Sequence, residues 1–404
     1  MKFIMISVFL ISSFILSISF YLSRCIWRPC KGPPKTKVFT TREEIRLLLD
    51  PPLIGIEALL HHRALPNVRL LYAFGITNST FTSESIGIHD QFRRHAVARL
   101  RNLDSPKKWQ TIGGVTKDAA DFYLPSDLMS GDYSAYMQAV VLVTVLAAFF
   151  DETISFPERS HIRFVTEGIN ELWIASKSPT FRPVSPILAQ VNQHLHSWLP
   201  DDPADPFRGN PLELILPAYE TLWRLVAHTF TYVENTPSYA RLFLDFFDNP
   251  TLRQFAMPGI SDGPSAQEFL KEVLRLHPPT KRIKRSRDTP SWIPVCIRRL
   301  IIKENPTCST IVSADVEALQ RSSVWGPLPH EFDAMRHRAS TDAQKECLIP
   351  FGLGPLKCVA SSLAPRLAGM IVAGMVIRDD IELTRGEGLG SREGWGGWKV
   401  SRKF

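Results

Sequence analysis

Phe351-Gly352-Leu353-Gly354-Pro355-Leu356-Lys357-Cys358-Val359-Ala360 is the stretch on which the reading of this chain turns. Its two glycines let the backbone bend sharply and approach a flat ligand closely. The cysteine then opens an apolar run, Cys358 to Ile377, which predicts a last long helix. At a helix N-terminus, free N–H groups and the helix dipole stabilise a thiolate, the form of cysteine that ligates metals. The plain alternative is a structural cysteine in a tight turn, because free cysteines often serve as small buried hydrophobes.

Two upstream segments bear on that choice. Glu272-Val273-Leu274-Arg275 places a carboxylate and a guanidinium on one helix face at i, i+3, where they can pair. Such pairs are common on solvated surfaces. This one runs directly into Leu276-His277-Pro278-Pro279, which stops a helix opened by the capping-box pattern Ser265-Ala266-Gln267-Glu268. Further upstream, Ala218-Tyr219-Glu220-Thr221 lies inside Leu212 to Phe230, a long apolar helix that must be largely buried. An acid and a hydroxyl there are costly unless paired or put to use. A threonine can return its hydroxyl to the i−4 carbonyl and loosen the helix, making a small polar groove where water or dioxygen could be held. The alternative is a threonine satisfied by its own backbone, with Glu220 facing solvent.

The rest of the chain is read outward from these segments. A short helix is predicted around Arg42 to Leu49, and another from His89 to Leu103, with His89, Phe92, Arg93 and Arg94 near its start. Ala139 to Phe150 is too short to span a membrane and reads as a buried helix. Ile162, Val165, Ile169, Leu172 and Trp173 mark an amphipathic helix, and a third begins at Ser185-Pro186. Pro200 to Pro211 is a loop, and Ile283 to Val312 holds β-branched runs that suggest strands. The Gly-rich tail, Gly386 to Gly397, suggests loops joining short final strands. With no internal repeat and no interdomain linker, this is one mainly helical domain with small peripheral sheets.

At 404 residues the chain has ample length to bury a large cofactor. The net charge of +7 suits an acidic partner or a membrane surface, but the basic residues are scattered, which argues against nucleic acid. Phe3 to Leu22 is apolar and uncharged, and twenty helical residues span about 30 Å, a bilayer's hydrocarbon core. Arg24, Arg28, Lys31, Lys35 and Lys37 follow, against a lone Lys2 before it, which predicts an anchor with the remainder cytoplasmic. A cleaved signal peptide, with Ser17 and Ser19 before the cut, is the competing reading. The expected division is therefore an anchor over 1–24 and a catalytic domain over 25–404. The six cysteines, Cys25, Cys30, Cys296, Cys308, Cys347 and Cys358, form neither a zinc pattern nor a disulfide framework. The sequon Asn78-Ser79-Thr80 would stay unused on a cytoplasmic domain.

An acid–Thr pair in a buried helix, Glu-x-x-Arg before a diproline, then Phe-Gly-x-Gly-x-x-x-Cys, in that order, resembles the cytochrome P450 family. Leu216 to Arg224 looks particularly like fungal membrane-bound members, and the resemblance is specific from about Leu212 to Ile377. It implies the cytochrome P450 fold and a haem b whose iron has Cys358 as axial thiolate ligand. Phe351 would pack beside the sulfur, and Gly354 would belong to the cofactor turn. Thr221 and Glu220 would serve oxygen activation and proton delivery. Glu272, Arg275 and Arg336 would form a structural ion-pair group. Arg93 and either Arg282 or Arg285 would meet the haem propionates. The resemblance further implies a monooxygenase at the endoplasmic reticulum membrane, oxidising a hydrophobic small molecule with O2. Electrons would come from NADPH–cytochrome P450 reductase, in a fungal specialised-metabolite pathway. Lys357 and Arg366 are candidates to attract an acidic reductase surface.

The sequence also departs from the family pattern. Leu356 stands where a propionate-binding arginine is usual, with Lys357 beside it. Ala334 and His337 replace the usual proline and aromatic residue around Arg336. The stretch between anchor and oxygen helix is short for the family, and the first sheet is expected to be reduced. These departures motivate a second reading, a haem-binding P450-like protein without turnover. A third is a membrane-anchored helical scaffold in which Cys358 is ordinary core.

Overall fold

The structure, a computed structural model, describes residues 36–78, 80–125, 130–150, 153–178, 186–234, 236–287, 310–390 and 394–403. The expected anchor, Cys25, Cys30, Cys296, Cys308 and the middle of the Ile283–Val312 stretch lie outside the described residues. Among the described residues, no helix is long and apolar enough to cross a membrane.

The architecture is mainly helical, with two small sheets at its edges, as the sequence predicts. In chain order the front half comprises β1 (Thr36–Phe39), α1 (Arg42–Leu49), α2 (Ile56–Phe74), α3 (Ile86–Asn102), α4 (Pro106–Tyr123), β2 (Gly131–Asp132) and α5 (Tyr133–Phe149). Then come α6 (Arg159–Ala175), α7 (Pro186–Trp198), α8 (Leu212–Val233), α9 (Pro237–Asp248), α10 (Leu252–Ala256) and α11 (Ala266–Leu276). The chain closes with β3 (Arg282–Arg287), β4 (Thr310–Asp315), α12 (Val316–Gln320), α13 (Asp342–Cys347), α14 (Ala364–Val376), β5 (Ile381–Thr384) and β6 (Lys399–Arg402). In one sheet β4 lies between β1, parallel to it, and β3, antiparallel; in the other β6 lies between β2 and β5, both antiparallel.

Helix α5 is apolar on every side and buried on every side, so it sits at the centre, packed by α4, α6 and α8. Helices α4 and α14 cross closely because glycines face the contact: a Cβ at Gly374 would lie 2.9 Å from Thr116 Cβ and 3.1 Å from the Gly113 carbonyl. Around them, α8, α9, α11 and α14 complete the main apolar core. A second, smaller core joins Phe39, Ile45, Leu48 and Leu49 to Val312, Leu319, Trp325 and Ile349. The Phe351–Cys358 turn lies where the two meet, with Phe351 packed on the main core and Leu353 on the smaller one.

Prolines inside two helices shape this region. A proline cannot donate the helical i→i−4 hydrogen bond, so it leaves a carbonyl in need of another donor. In α8, Pro217 leaves the Glu213 carbonyl to Asn78 Nδ2, at 2.9 Å. Asn78 is thus buried and its amide nitrogen is committed to the helix. In α2, Pro66 leaves the His62 carbonyl, which the buried Ser286 hydroxyl of β3 reaches at 3.3 Å.

Three long helices, α2, α4 and α9, and the short α10, α12 and α13 occupy stretches in which the sequence predicts no element. The last helix begins at Ala364, six residues after Cys358, and not at the cysteine. Pro365 suits the first turn of a helix, so the Val359–Leu363 segment is spent as turns before α14 starts.

Candidate cofactor and active site

The cysteine turn depends on its glycines. Gly352 and Gly354 have φ of +74° and +70°, a left-handed region that other residues enter only at a cost. A Cβ at Gly354 would also lie 2.7 Å from Asp50 Oδ1 at the end of α1. The bend closes with Cys358 N donating to the Phe351 carbonyl at 2.9 Å and Lys357 N donating to Gly354 at 3.0 Å. Burial pushes the Cys358 thiol up, while the Ala360 N–H and Lys357 pull the other way. The predicted thiolate stabilisation by a helix N-terminus is therefore corrected: α14 starts too late, and its N-terminus is not at the sulfur. Cys358 is nonetheless solvent-reachable. A metal bound to such a reachable sulfur can supply the thiolate stabilisation the protein alone does not.

Beside this turn stands β3. Ile283 reaches the turn, its Cδ1 lying 3.8 Å from where a Gly352 Cβ would be, and Arg285 follows on the same strand face. Arg285 is 7% exposed and donates through Nη1 to the Lys284 carbonyl at 2.9 Å, while its buried Nε has no hydrogen-bond partner among the described residues. Burial lowers its pKa to about 10. Arg282, the alternative to it, is exposed and ion-paired with Asp315 at 3.1 Å. On α3, His89 is buried and its pKa is lowered by burial, then by the charges of Arg63 and Arg93, with Asp90 opposing. Arg93 itself is exposed. Positive charge thus gathers on the strand beside the cysteine turn and on α3, with one buried donor nitrogen still to be met.

Helix α8 supplies another wall. Along its first four turns Glu213, Pro217, Ala218, Thr221 and Arg224 are half-buried, in a helix otherwise buried except at Tyr232. Thr221 Oγ1 is 3.5 Å from the Pro217 carbonyl, the far limit of a hydrogen bond, so its hydroxyl is weakly held. Glu220 is 2% exposed, with Oε1 3.9 Å from Arg224 Nη2. Arg224 in turn donates to the Pro279 carbonyl at 2.7 Å and ties α8 to the diproline turn.

Glu272 and Arg275 are fully buried on α11 and paired twice, Nε to Oε2 and Nη2 to Oε1, both at 2.7 Å. Arg336 Nε reaches Glu272 Oε1 at 3.3 Å, so the three predicted residues meet. His337 joins them, its Nε2 3.0 Å from Oε2, and Asp333 N donates to Oε1 at 3.1 Å. Sequence reasoning gave His337 only as a departure; its position beside Arg336 was the available signal. Burial pushes the Glu272 carboxyl up, but hydrogen bonds from Arg275 and His337 outweigh it and hold the pKa at about 2. Arg275 also donates to the Gln320, Pro329 and Glu331 carbonyls and stacks over Trp325. This group stands as a clamp between α11 and the segment ahead of the cysteine turn.

Arg366 does not offer a docking charge. It is 6% exposed, its guanidinium lies over the Trp109 ring, and Nη1 is 3.2 Å from Asp104, because α14 buries this face against α4. Lys357, by contrast, is exposed.

Two solved structures share this arrangement. A 6-coordinated cytochrome P450 from Thermus thermophilus superposes with a TM-score of 0.56 at 16% identity, covering 91% of this chain and 92% of that one. CYP175A1, also from Thermus thermophilus, superposes with a TM-score of 0.58 at 14% identity, covering 91% and 89%. Residues 251–386, which hold the clamp and the cysteine turn, match the family model for cytochrome P450. The fold is that of a cytochrome P450. Cytochrome P450 monooxygenase tpcB of Cochliobolus heterostrophus is 28% identical over 198 residues, 46% of this chain and 37% of that protein. Cytochrome P450 705A5 of Arabidopsis thaliana is 30% identical over 139 residues, 32% of this chain and 25% of that protein. The matched segments thus span well under half of those relatives. A P450 cofactor is haem, and the residues present fit it. A reachable cysteine sulfur stands on the turn beside β3, and Arg285 on that strand keeps a buried nitrogen with no hydrogen-bond partner among the described residues for an anionic group.

Proposed function

We propose that this protein is a haem-thiolate monooxygenase that oxidises a hydrophobic small molecule with O2, using electrons from NADPH through a reductase. The observation that carries the proposal is Cys358, solvent-reachable and held by a turn bent at two left-handed glycines, within the P450 fold. Haem held there supplies the iron that binds and activates dioxygen, and a thiolate ligand favours O–O cleavage. The chain's own residues do the rest. Gly352 and Gly354 keep the cysteine loop tight, and the Phe351 carbonyl fixes the Cys358 backbone. Arg285 and Arg93 take the carboxylates of the cofactor. Thr221, weakly held by its own helix, would give a hydrogen bond to dioxygen or the water around it and hand on a proton, with Glu220 next to it in the same helix. Arg224 fixes Glu220 from one side and prevents it from swinging into solvent.

The apolar Phe3–Leu22 segment with its basic flank supports an N-terminal anchor in the endoplasmic reticulum membrane, a catalytic domain over 25–404 on the cytoplasmic side, and a membrane-dissolved substrate. The Cochliobolus relative supports the fungal specialised-metabolism reading, although the Arabidopsis match is similar in strength. The test is turnover. Haem-loaded protein with a fungal P450 reductase should consume NADPH and O2 and form an oxygenated product from a panel of apolar compounds. Thr221→Ala should lose about a hundredfold in rate of product formation, the lower end of the usual scale for a positioned proton-transfer group. Haem-loaded protein that consumes no NADPH with any reductase would instead be the binding protein without turnover.

A further inference from the structure

We propose that His161 of α6 and His194 of α7 together hold a divalent late transition-metal ion, zinc being the example, which ties the two helices. Neither histidine takes part in the site described above, so the inference stands apart from the haem reading. His161 lies in the first turn of α6 and is exposed, while His194 lies in the third turn of α7 and is half-buried. Their ring centroids are 4.8 Å apart, with the planes tilted by 36°. An imidazole nitrogen binds zinc at about 2.0–2.1 Å, which sets each ring centroid about 3.2 Å from the ion. Two such rings at a square or tetrahedral angle have centroids about 4.5–5.2 Å apart. The observed spacing falls inside that window, and the exposed His161 can turn its ring towards a shared ion.

The surroundings leave the ring nitrogens available. Among the described residues, neither ring makes a hydrogen bond or an ion pair. Phe164 and Trp198 flank His194 at 5.6 and 5.7 Å and hold its ring in place. Burial, then His161, lowers the His194 pKa, so its ring is neutral near neutral pH, the form that ligates metal. Packing alone accounts for one histidine in an aromatic cluster. A second, exposed imidazole beside it adds repulsion whenever both are protonated, and an ion bound between them keeps both neutral. No third histidine, cysteine or carboxylate joins them among the described residues, so water completes the coordination. A pair of imidazoles without carboxylates selects zinc or copper over magnesium or calcium. Helix α7 packs chiefly on α6, and the shared ion adds a second tie to a helix held through that one neighbour.

Calorimetric titration of the haem-loaded full-length protein with zinc chloride tests this, for wild type, His161→Gln, His194→Gln, the double variant and His196→Gln. His196 is exposed on α7, two residues from His194, and serves as the control. Changing even an outer partner of a metal ligand costs about 10–100-fold in affinity, so losing one of two ligands should cost at least about a hundredfold. Either single variant should show that loss, with His196→Gln unchanged. In hydrogen exchange read by mass spectrometry, zinc should slow the α7 amides of wild type and leave those of both ligand variants as they are. Zinc taken up at cysteines alone would give wild type and the double variant the same affinity, which overturns the site. A loss in only one of the two single variants, or an equal loss in His196→Gln, overturns it as well. Zinc bound through both histidines with no slowing in α7 overturns the tie between the helices.

Discussion

Replacing Glu272 by Gln removes one charge from the most buried ionic group in the described structure and changes little else in shape. The carboxylate receives two hydrogen bonds from Arg275 and one each from Arg336, His337 and the Asp333 N–H. Its pKa of about 2, against 4.5 in an unfolded chain, corresponds to about 3 kcal/mol in favour of the folded state near neutral pH. Removing one partner of a buried pair typically costs about 3–5 kcal/mol, because the other charge is left behind. Arg275 is that charge, fully buried and then without a counter-ion on its helix, left with neutral acceptors, the remaining amide oxygen at position 272 and the Gln320, Pro329 and Glu331 carbonyls. Against a total stability of about 5–15 kcal/mol, Glu272→Gln should therefore leave a marginal protein. Urea unfolding of the full-length protein followed by far-ultraviolet circular dichroism measures the loss. Because the folded pKa is depressed, the contribution is complete above pH 4.5 and disappears as pH falls towards 2. The gap between wild type and Glu272→Gln should accordingly narrow on acidification through that window. A loss below about 1 kcal/mol at pH 7, or a gap independent of pH between 5 and 3, would refute the reasoning.

Other consequences can be measured alongside. His228 and His277 stack at 4.3 Å, and burial depresses both; His277 and then the cations Arg224, Lys281 and Arg321 lower His228 further, while Arg321, Lys281 and Arg275 help bring His277 to about 3. Unfolded histidines take up protons below about pH 6.5, so wild type should lose stability by about 1.4 kcal/mol per pH unit per histidine as pH falls from there. His228→Phe should remove one histidine's share of that slope in unfolding titrations; an unchanged slope contradicts it. Gly354→Ala forces an alanine into a left-handed backbone against Asp50 and should cost about 1–2 kcal/mol from the backbone alone, with faster haem loss. Adding Asp50→Ala should recover only the steric part, a comparison read by thermal unfolding. Ser265→Ala breaks the capping box of α11, in which Ser265 Oγ and Glu268 exchange bonds, and should cost about 1 kcal/mol in the same assay.

How far these features could be read in advance followed from how each is encoded. Helices α5 and α8 announce themselves by unbroken apolar composition, and α11 by its capping box and diproline stop. Helix α2 does not: it carries Pro66, and its apolar residues have little helical period, since Leu59, Leu60, Leu70 and Phe74 are buried while Leu65, Val68 and Tyr72 are exposed. The clamp was legible because Glu272 and Arg275 share a helix. Arg336, 61 residues beyond Arg275, entered only through the family resemblance, and His337 was passed over although it is the nearest neighbour. Arg366 was misassigned to the surface because sequence alone does not say which side of α14 meets Trp109.

The claim on which everything else rests is that Cys358 ligates haem iron, and the carbon monoxide difference spectrum of the reduced full-length protein tests it most directly. Wild type should show the strongly red-shifted Soret band of a thiolate-ligated carbonyl complex, and Cys358→Ala should lose it while keeping its helical circular dichroism. A folded wild type without that band, or a Cys358→Ala protein that retains it, would contradict the account.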